Sequence, residues 1–341
     1  MKRSTLYLLY PGNKALERAI AGSLCLLTEQ EAAAAMPDTQ VAVADNFRYT
    51  RGNYEQHRYS TRIFERLREA LEASLAAPAA SRERAATLNS LGNILAALGQ
   101  QRRDAALFEQ AIQCFNQALD GYSQQETPQE WAATQYNLGT ANQALGRLFE
   151  ETQPLKRAVD AYTEALLVWT REASPEDWMQ TMHQLGATLY SYGIQLKGNR
   201  QLQKSVVAYK NALAALDADE YALALTATHN NRAVTLHHLA ESEANPTRLK
   251  EAINSYEKAL TVSMEQQLPI HVAVLCRVNK ATAQNVLAQM GNDAALAEEI
   301  ADEFEVIIEC FAHALQPLCM KHCQEQQKLA QSQAASSKVA G

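Results

Sequence analysis

Apolar residues recur at intervals of three and four along most of this chain. Trp131, Thr134, Leu138, Ala141 and Leu145 mark one helical stripe, and Ala158, Tyr162, Ala165 and Trp169 mark a second, with Val159 and Leu166 beside it. Gly146 is expected to close the first helix, and Pro154 suits the first turn of the next. Ser174-Pro175-Glu176-Asp177 offers an N-cap serine, a proline at the first helical position and acidic residues in the first turn; Thr127-Pro128-Gln129-Glu130 is the same signal earlier. Two such helices make one hairpin, and the hairpin repeats. Gly92, Gly139 and Gly186 each follow a leucine at steps of 47, as do Thr87, Thr134, Thr181 and Thr228. Phe115, Tyr162, Tyr209 and Tyr256 keep the same step, as do Leu119, Leu166, Leu213 and Leu260. A period of this length marks stacked units that cannot bury their apolar faces alone.

The spacing predicts an all-α protein, an α-solenoid of stacked helical hairpins. Five units follow, at 84–130, 131–177, 178–224, 225–271 and a degenerate 272–302. The fourth replaces the Leu-Gly pair by Arg232-Ala233, and the fifth by Asn279-Lys280, with Glu303 where the aromatic belongs. Residues 58–83 read as the second helix of a degenerate unit and 303–333 as capping helices. Residues 1–57 read as a helical and irregular cap, helical over 14–35 and irregular over 36–57, and 334–341 as a disordered tail.

Small residues at Gly139, Ala158 and Ala165 with large ones at Leu138, Tyr162 and Leu166 form a pattern that resembles the tetratricopeptide repeat. Pro128-x-x-Trp131-Ala132-x-Thr134-Gln135-x-Asn137-Leu138-Gly139 opens a unit, and Ala158-x-x-x-Tyr162-x-x-Ala165-Leu166 closes it. The period exceeds the usual length of about 34 residues, and it looks like the long bacterial variety of the repeat. The resemblance implies a right-handed superhelix whose first helices line a concave groove, and a protein that binds other proteins rather than an enzyme.

Carried over position by position from the Leu-Gly pair, that resemblance marks one groove column as Asn89, Tyr136, His183, Asn230 and Arg277. A second holds Ser90, Asn137, Gln184, Asn231 and Val278, and a third Ala96, Gln143, Tyr190, His237 and Gln284. Amides at matching places suit an extended peptide, because each can both donate and accept; Tyr136, Tyr190 and the histidines add apolar area with a polar tip. The function expected is an adaptor that takes a peptide or an extended partner segment in this groove. With Arg277 the one basic residue of its column, a clamp for a carboxylate is not expected.

Composition narrows the field. A net charge of −7 and a pI near 5.7 speak against bulk attraction to nucleic acid or anionic lipid. The apolar stretch Leu6–Tyr10 is too short for a signal peptide core, no run suits a membrane span, and the six cysteines read as reduced thiols. A cytoplasmic protein follows from these. Cys310, His313, Cys319, His322 and Cys323 are candidates for a soft or borderline metal, and hence for a sensory module, although their spacing matches no zinc signature. Arg48, Arg51, Arg58, Arg62, Arg66 and Arg68 alternate with Phe47, Tyr49, Tyr54 and Tyr59; Glu55, Glu65 and Glu69 among them favour a solvated flank with internal ion pairs over a nucleic-acid site. His237 and His238 are neighbours on a helix and point about 100° apart, so they do not chelate together. No catalytic motif and no cofactor-binding loop is present in the sequence.

Overall fold

The computed structural model describes residues 54–216, 218–315 and 317–339. Among them the regular elements are helices alone. Two compact units divide the chain, one ending at Leu196 and the other beginning at Lys197. The first holds α1 (Tyr54–Ala76), α2 (Ser81–Arg102), α3 (Ala105–Leu119), α4 (Pro128–Leu148), α5 (Thr152–Ala165) and α6 (Pro175–Leu196). The second holds α7 (Asn199–Leu213), α8 (Ala218–Glu243), α9 (Pro246–Glu265), α10 (Ile270–Gly291), α11 (Ala294–Phe311), a 3-10 turn at Ala312–Ala314 and α12 (Pro317–Val339). Within each unit, every helix packs on its neighbours in sequence, and first helices also meet the next first helix, α2 with α4 and α8 with α10. This is the α-solenoid of stacked hairpins that the periodicity predicts.

The repeat is visible in the helix ends. First helices begin at Ser81, Pro128 and Pro175, steps of 47. α8 bends at Tyr221, where φ is −127° and ψ is 36°, so its regular part resumes one further step on, at Ala222. Second helices begin at Ala105, Thr152, Asn199 and Pro246, again at steps of 47, and then at Ala294 after a step of 48.

The turn between the two helices repeats as closely. Arg103, Glu150, Lys197, Ala244 and Asn292 have positive φ, between 48° and 57°. The amide of the following residue donates to a carbonyl five positions back, as in Asp104 to Gly99 (3.0 Å), Glu151 to Gly146 (3.0 Å), Asn245 to Ala240 (2.9 Å) and Asp293 to Ala288 (2.9 Å). This left-handed closure satisfies carbonyls of the last helical turn. Gly146 therefore does not terminate α4, which continues to Leu148 and gives Glu150 the left-handed place. Side-chain caps start the next helix at Asp104, Asn245 and Asp293. Thr127 occupies the cap position of α4, but its hydroxyl turns back and accepts from the amide of Ser123 (2.9 Å).

The glycines are inside the helices for contact. A methyl group at Gly139 would lie 2.8 Å from the Tyr162 ring, and one at Gly92 would lie 2.6 Å from Phe115. Both rings are fully buried. The repeated threonines fit the same crowded interface because each hydroxyl donates to its own helix, Thr134 to the Glu130 carbonyl (2.8 Å) and Thr228 to that of Ala224 (2.6 Å).

Three expectations change at the ends. Residues 54–57, read as irregular, are helical and belong to α1, while the helix read at 14–35 lies outside the described residues. The segment 334–341 does not begin a disordered tail, since α12 continues to Val339 and Ala334 is buried. Pro317 does not bend a helix but opens α12, following the 3-10 turn that contains His313. α12 buries Cys319, Cys323, Ala330 and Ala334 on α10 and α11 and exposes Lys321, Gln324, Glu325, Lys328 and Gln331, the polar outer face of a capping helix.

Two substitutions test these assignments. Replacing glycine by alanine inside a helix ordinarily stabilises by about 1 kcal/mol. Gly139→Ala is expected to do the opposite and destabilise by about 1–3 kcal/mol, read as a lowered melting temperature, because the buried ring has nowhere to go. Ala244→Gly, at an exposed residue with φ 48°, is expected to raise stability by about 1 kcal/mol in denaturant titration.

Candidate functional site

The groove columns lie on the first helices, and burial decides what each side chain does. In the first unit the amide of Asn137, itself buried, reaches back one hairpin: its Nδ2 donates to Oδ1 of half-buried Asn89 at 3.0 Å. In the second unit Asn279 Nδ2 donates to Asn230 Oδ1 at 2.9 Å, and Asn230 Nδ2 donates to Asn231 Oδ1 at 3.2 Å. The two arrangements share one rule. A second-column amide of one hairpin donates to the first-column asparagine of the hairpin before, so these amides fasten consecutive first helices together.

Asn279 was missed by counting in steps of 47, which selects Arg277 and Val278. The caps Asn245 and Asp293 lie 48 apart, as do the left-handed residues Ala244 and Asn292, and a step of 48 places Asn279 in the second column. The cap residues carried that signal. Arg277 instead makes a bidentate pair with Glu303 (2.6 and 2.9 Å) and lies over the Phe311 ring, 5.5 Å from its centroid. The third column is displaced likewise, from Gln284 to buried Asn285, whose Nδ2 donates to Gln326 Oε1 at 2.9 Å.

Gln143 is buried and fully engaged. Its Nε2 donates to Thr188 Oγ1 (2.8 Å) and the Gln184 carbonyl (3.3 Å), while its Oε1 accepts from the Tyr162 hydroxyl (3.4 Å). Tyr136 belongs to the core, its ring tilted against Tyr162 and Trp169 with centroids 5.5 and 5.8 Å away. Asn137 Oδ1 is buried and accepts no hydrogen bond among the described residues. Gln184 and Tyr190 are half-buried, and the Gln184 side-chain amide takes no part in the bonds above. Of the columns in the first unit, then, Asn89, Asn137, Gln184 and Tyr190 keep polar capacity or accessible surface, whereas Tyr136 and Gln143 are committed to packing.

Three histidines, His183, His229 and His237, are held toward the neutral form. His183 is pushed down to about 4 by burial. His237 is fully buried, with its ring edge toward Tyr256, and is pushed down to about 3 by burial and then by His238 and His322. His229 is pushed down to about 4 by burial, then by Lys258 and Arg232. His238 turns to its own helix, Nδ1 lying 3.2 Å from the Val234 carbonyl, away from His237.

The C-terminal thiols and imidazoles are dispersed. Cys323 is in the core beside Cys319, His322 Nε2 lies 2.9 Å from Thr282 Oγ1, and Cys310 and His313 are exposed. Among the described residues no three His, Cys, Asp or Glu side chains come together to hold a metal. Of the basic and aromatic segment, Phe47, Arg48, Tyr49 and Arg51 lie outside the described residues, while Arg68 pairs with Glu65 (3.2 Å) and Glu72 (3.6 Å). None of the helices described is long and apolar enough to cross a membrane.

The fold is that of a helical-repeat protein of stacked hairpins. A family model, the tetratricopeptide repeat, matches residues 84–121, which span α2 and α3, so the chain carries a tetratricopeptide repeat in sequence as well as in fold. Such repeats generally serve as scaffolds for binding other proteins, and the fold is typically non-catalytic. A solved structure titled "Crystal structure of BtubC (BKLC) from P. vanneervenii" is similar with a TM-score of 0.48 and 17% identity over 74% of this chain and 94% of that one. No curated protein matches the chain.

The buried histidines set a pH dependence. Their folded values lie below the ordinary value of about 6.5, so folding favours the neutral ring, and this contribution is complete above about pH 6.5 and is lost as the pH falls toward 4. Each such histidine adds up to about 1.4 kcal/mol per pH unit in that window. The urea midpoint is expected to drop steeply between about pH 6.5 and pH 5, and a flat midpoint there contradicts the assignment.

Proposed function

We propose that the chain is a non-enzymatic cytoplasmic adaptor that binds an extended peptide segment of another protein along its first helices. The observation that carries this reading is that, beyond the Asn137 and Asn89 pair, Gln184 lies half-buried with its side-chain amide outside the bonds that fasten the helices. Gln184 and Tyr190, one hairpin further on and half-buried, supply an amide to set register and an aromatic surface with a hydroxyl tip. The free cysteines Cys114, Cys276, Cys310, Cys319 and Cys323 support a reducing compartment.

A displayed library of random peptides panned against the full chain tests the reading. Enriched peptides are expected to lose at least about tenfold in affinity for the Gln184→Ala variant while its melting temperature stays close to that of the wild type. The variant spares the amides that fasten the helices, so lost binding is not lost folding. Failure to enrich any peptide, or peptides that bind both proteins equally, overturns the proposal.

A further inference from the structure

Two second helices of the C-terminal unit differ from the rest in charge. α7 contains Arg200, Lys204 and Lys210 and no acidic residue; α11 contains Glu298, Glu299, Asp302, Glu303, Glu305 and Glu309 and no basic one. Of their counterparts, α3 carries Glu109 alone, α5 holds Lys156 and Arg157 with Asp160 and Glu164, and α9 pairs three basic with three acidic residues. The segregation is concentrated on outer faces. Around Val207, which is 56% exposed, Arg200, Lys204 and Lys210 stand seven and three positions before and three after, on one side of α7. Around Val306, 41% exposed, Glu299, Asp302 and Glu309 stand seven and four positions before and three after, on one side of α11. All six charged residues are exposed.

Among the described residues Arg200, Lys204, Lys210, Glu299, Asp302 and Glu309 enter no ion pair. The faces therefore match charge for charge about a central valine when two helices lie side by side in the same direction: Arg200 to Glu299, Lys204 to Asp302, Val207 to Val306 and Lys210 to Glu309. Both faces belong to one compact unit and occupy separate helices of it, so the match is available to two molecules.

We propose that the α7 face docks the α11 face of a second copy of this chain. The contact is heterologous, since different patches meet, and each molecule retains a free face of either kind, so association continues beyond the dimer. One helix face is smaller than a stable interface, which makes the association weak and reversible. Its exposed charges make it strongly dependent on salt, because at about 0.5 M ionic strength their attraction is screened within roughly 4–5 Å. This self-association is independent of peptide binding by the first helices, which uses other helices and other residues.

Sedimentation velocity of the full chain over a concentration series, at about 50 mM and about 500 mM NaCl, is the test. The sedimentation coefficient is expected to rise with concentration at low salt and to become independent of it at high salt. Lys204→Glu with Lys210→Glu makes both faces acidic, and Asp302→Lys with Glu309→Lys makes both basic. Each double variant alone is expected to weaken association at least about tenfold, while an equimolar mixture restores it, because the acidic α7 of one meets the basic α11 of the other. Restoration also shows that both variants are folded. A chain that stays monomeric at low salt, association that survives either reversal, or a mixture that fails to recover overturns the proposal.

Discussion

The close approach of a helix backbone to an aromatic ring is the contact on which each hairpin depends. Gly139 lies under Tyr162 and Gly92 under Phe115, at separations that leave no room for a side-chain carbon. Once that contact fixes the distance between the two helices of a hairpin, the rest of the unit follows. The hydroxyl of Thr134 bonds to its own helix, and Gln143 can reach both the Tyr162 hydroxyl and Thr188. The ring does two jobs at once in Tyr162, filling the space over Gly139 while its hydroxyl stays in hydrogen-bonding reach of Thr140 and Gln143.

Amides then connect one hairpin to the next. An interface made of leucine alone would hold helices together without fixing how far one slides along the other. A buried asparagine pair such as Asn279 and Asn230 allows a single register, since a shift of one residue leaves both groups unbonded in a place without water. The same residues that make a peptide-binding surface plausible in a sequence are thus partly consumed in aligning the scaffold. What remains for a partner is the capacity those bonds leave over.

Much of the fold was legible because its determinants are local. The Pro128 and Pro175 starts act within a few residues, and the helices begin where these signals stand; the glycine–aromatic pairs join two helices, but they recur at a fixed step that the sequence displays. The candidate site was less legible. Whether Tyr136 faces a groove or packs on Trp169 depends on neighbouring helices, and so does the difference between Gln143, which is fully bonded, and Gln184. The added residue before Asp293 changed which side chain stands opposite Asn230, and a fixed period cannot register that. The left-handed positions at Arg103, Glu150 and Lys197 are not glycine and so leave no compositional trace.

The outer face of α12 has a consequence for how this array can be lengthened. Lys321, Gln324, Glu325, Lys328 and Gln331 present charge and amides to water where an interior helix would present apolar side chains to a neighbour. Another hairpin placed there would bury charged groups against an apolar stripe, so the C-terminal unit is closed to growth at that end. A duplicated repeat, whether arising by gene duplication or by design, is tolerated only upstream of α12, where it inherits a face already shaped to receive it.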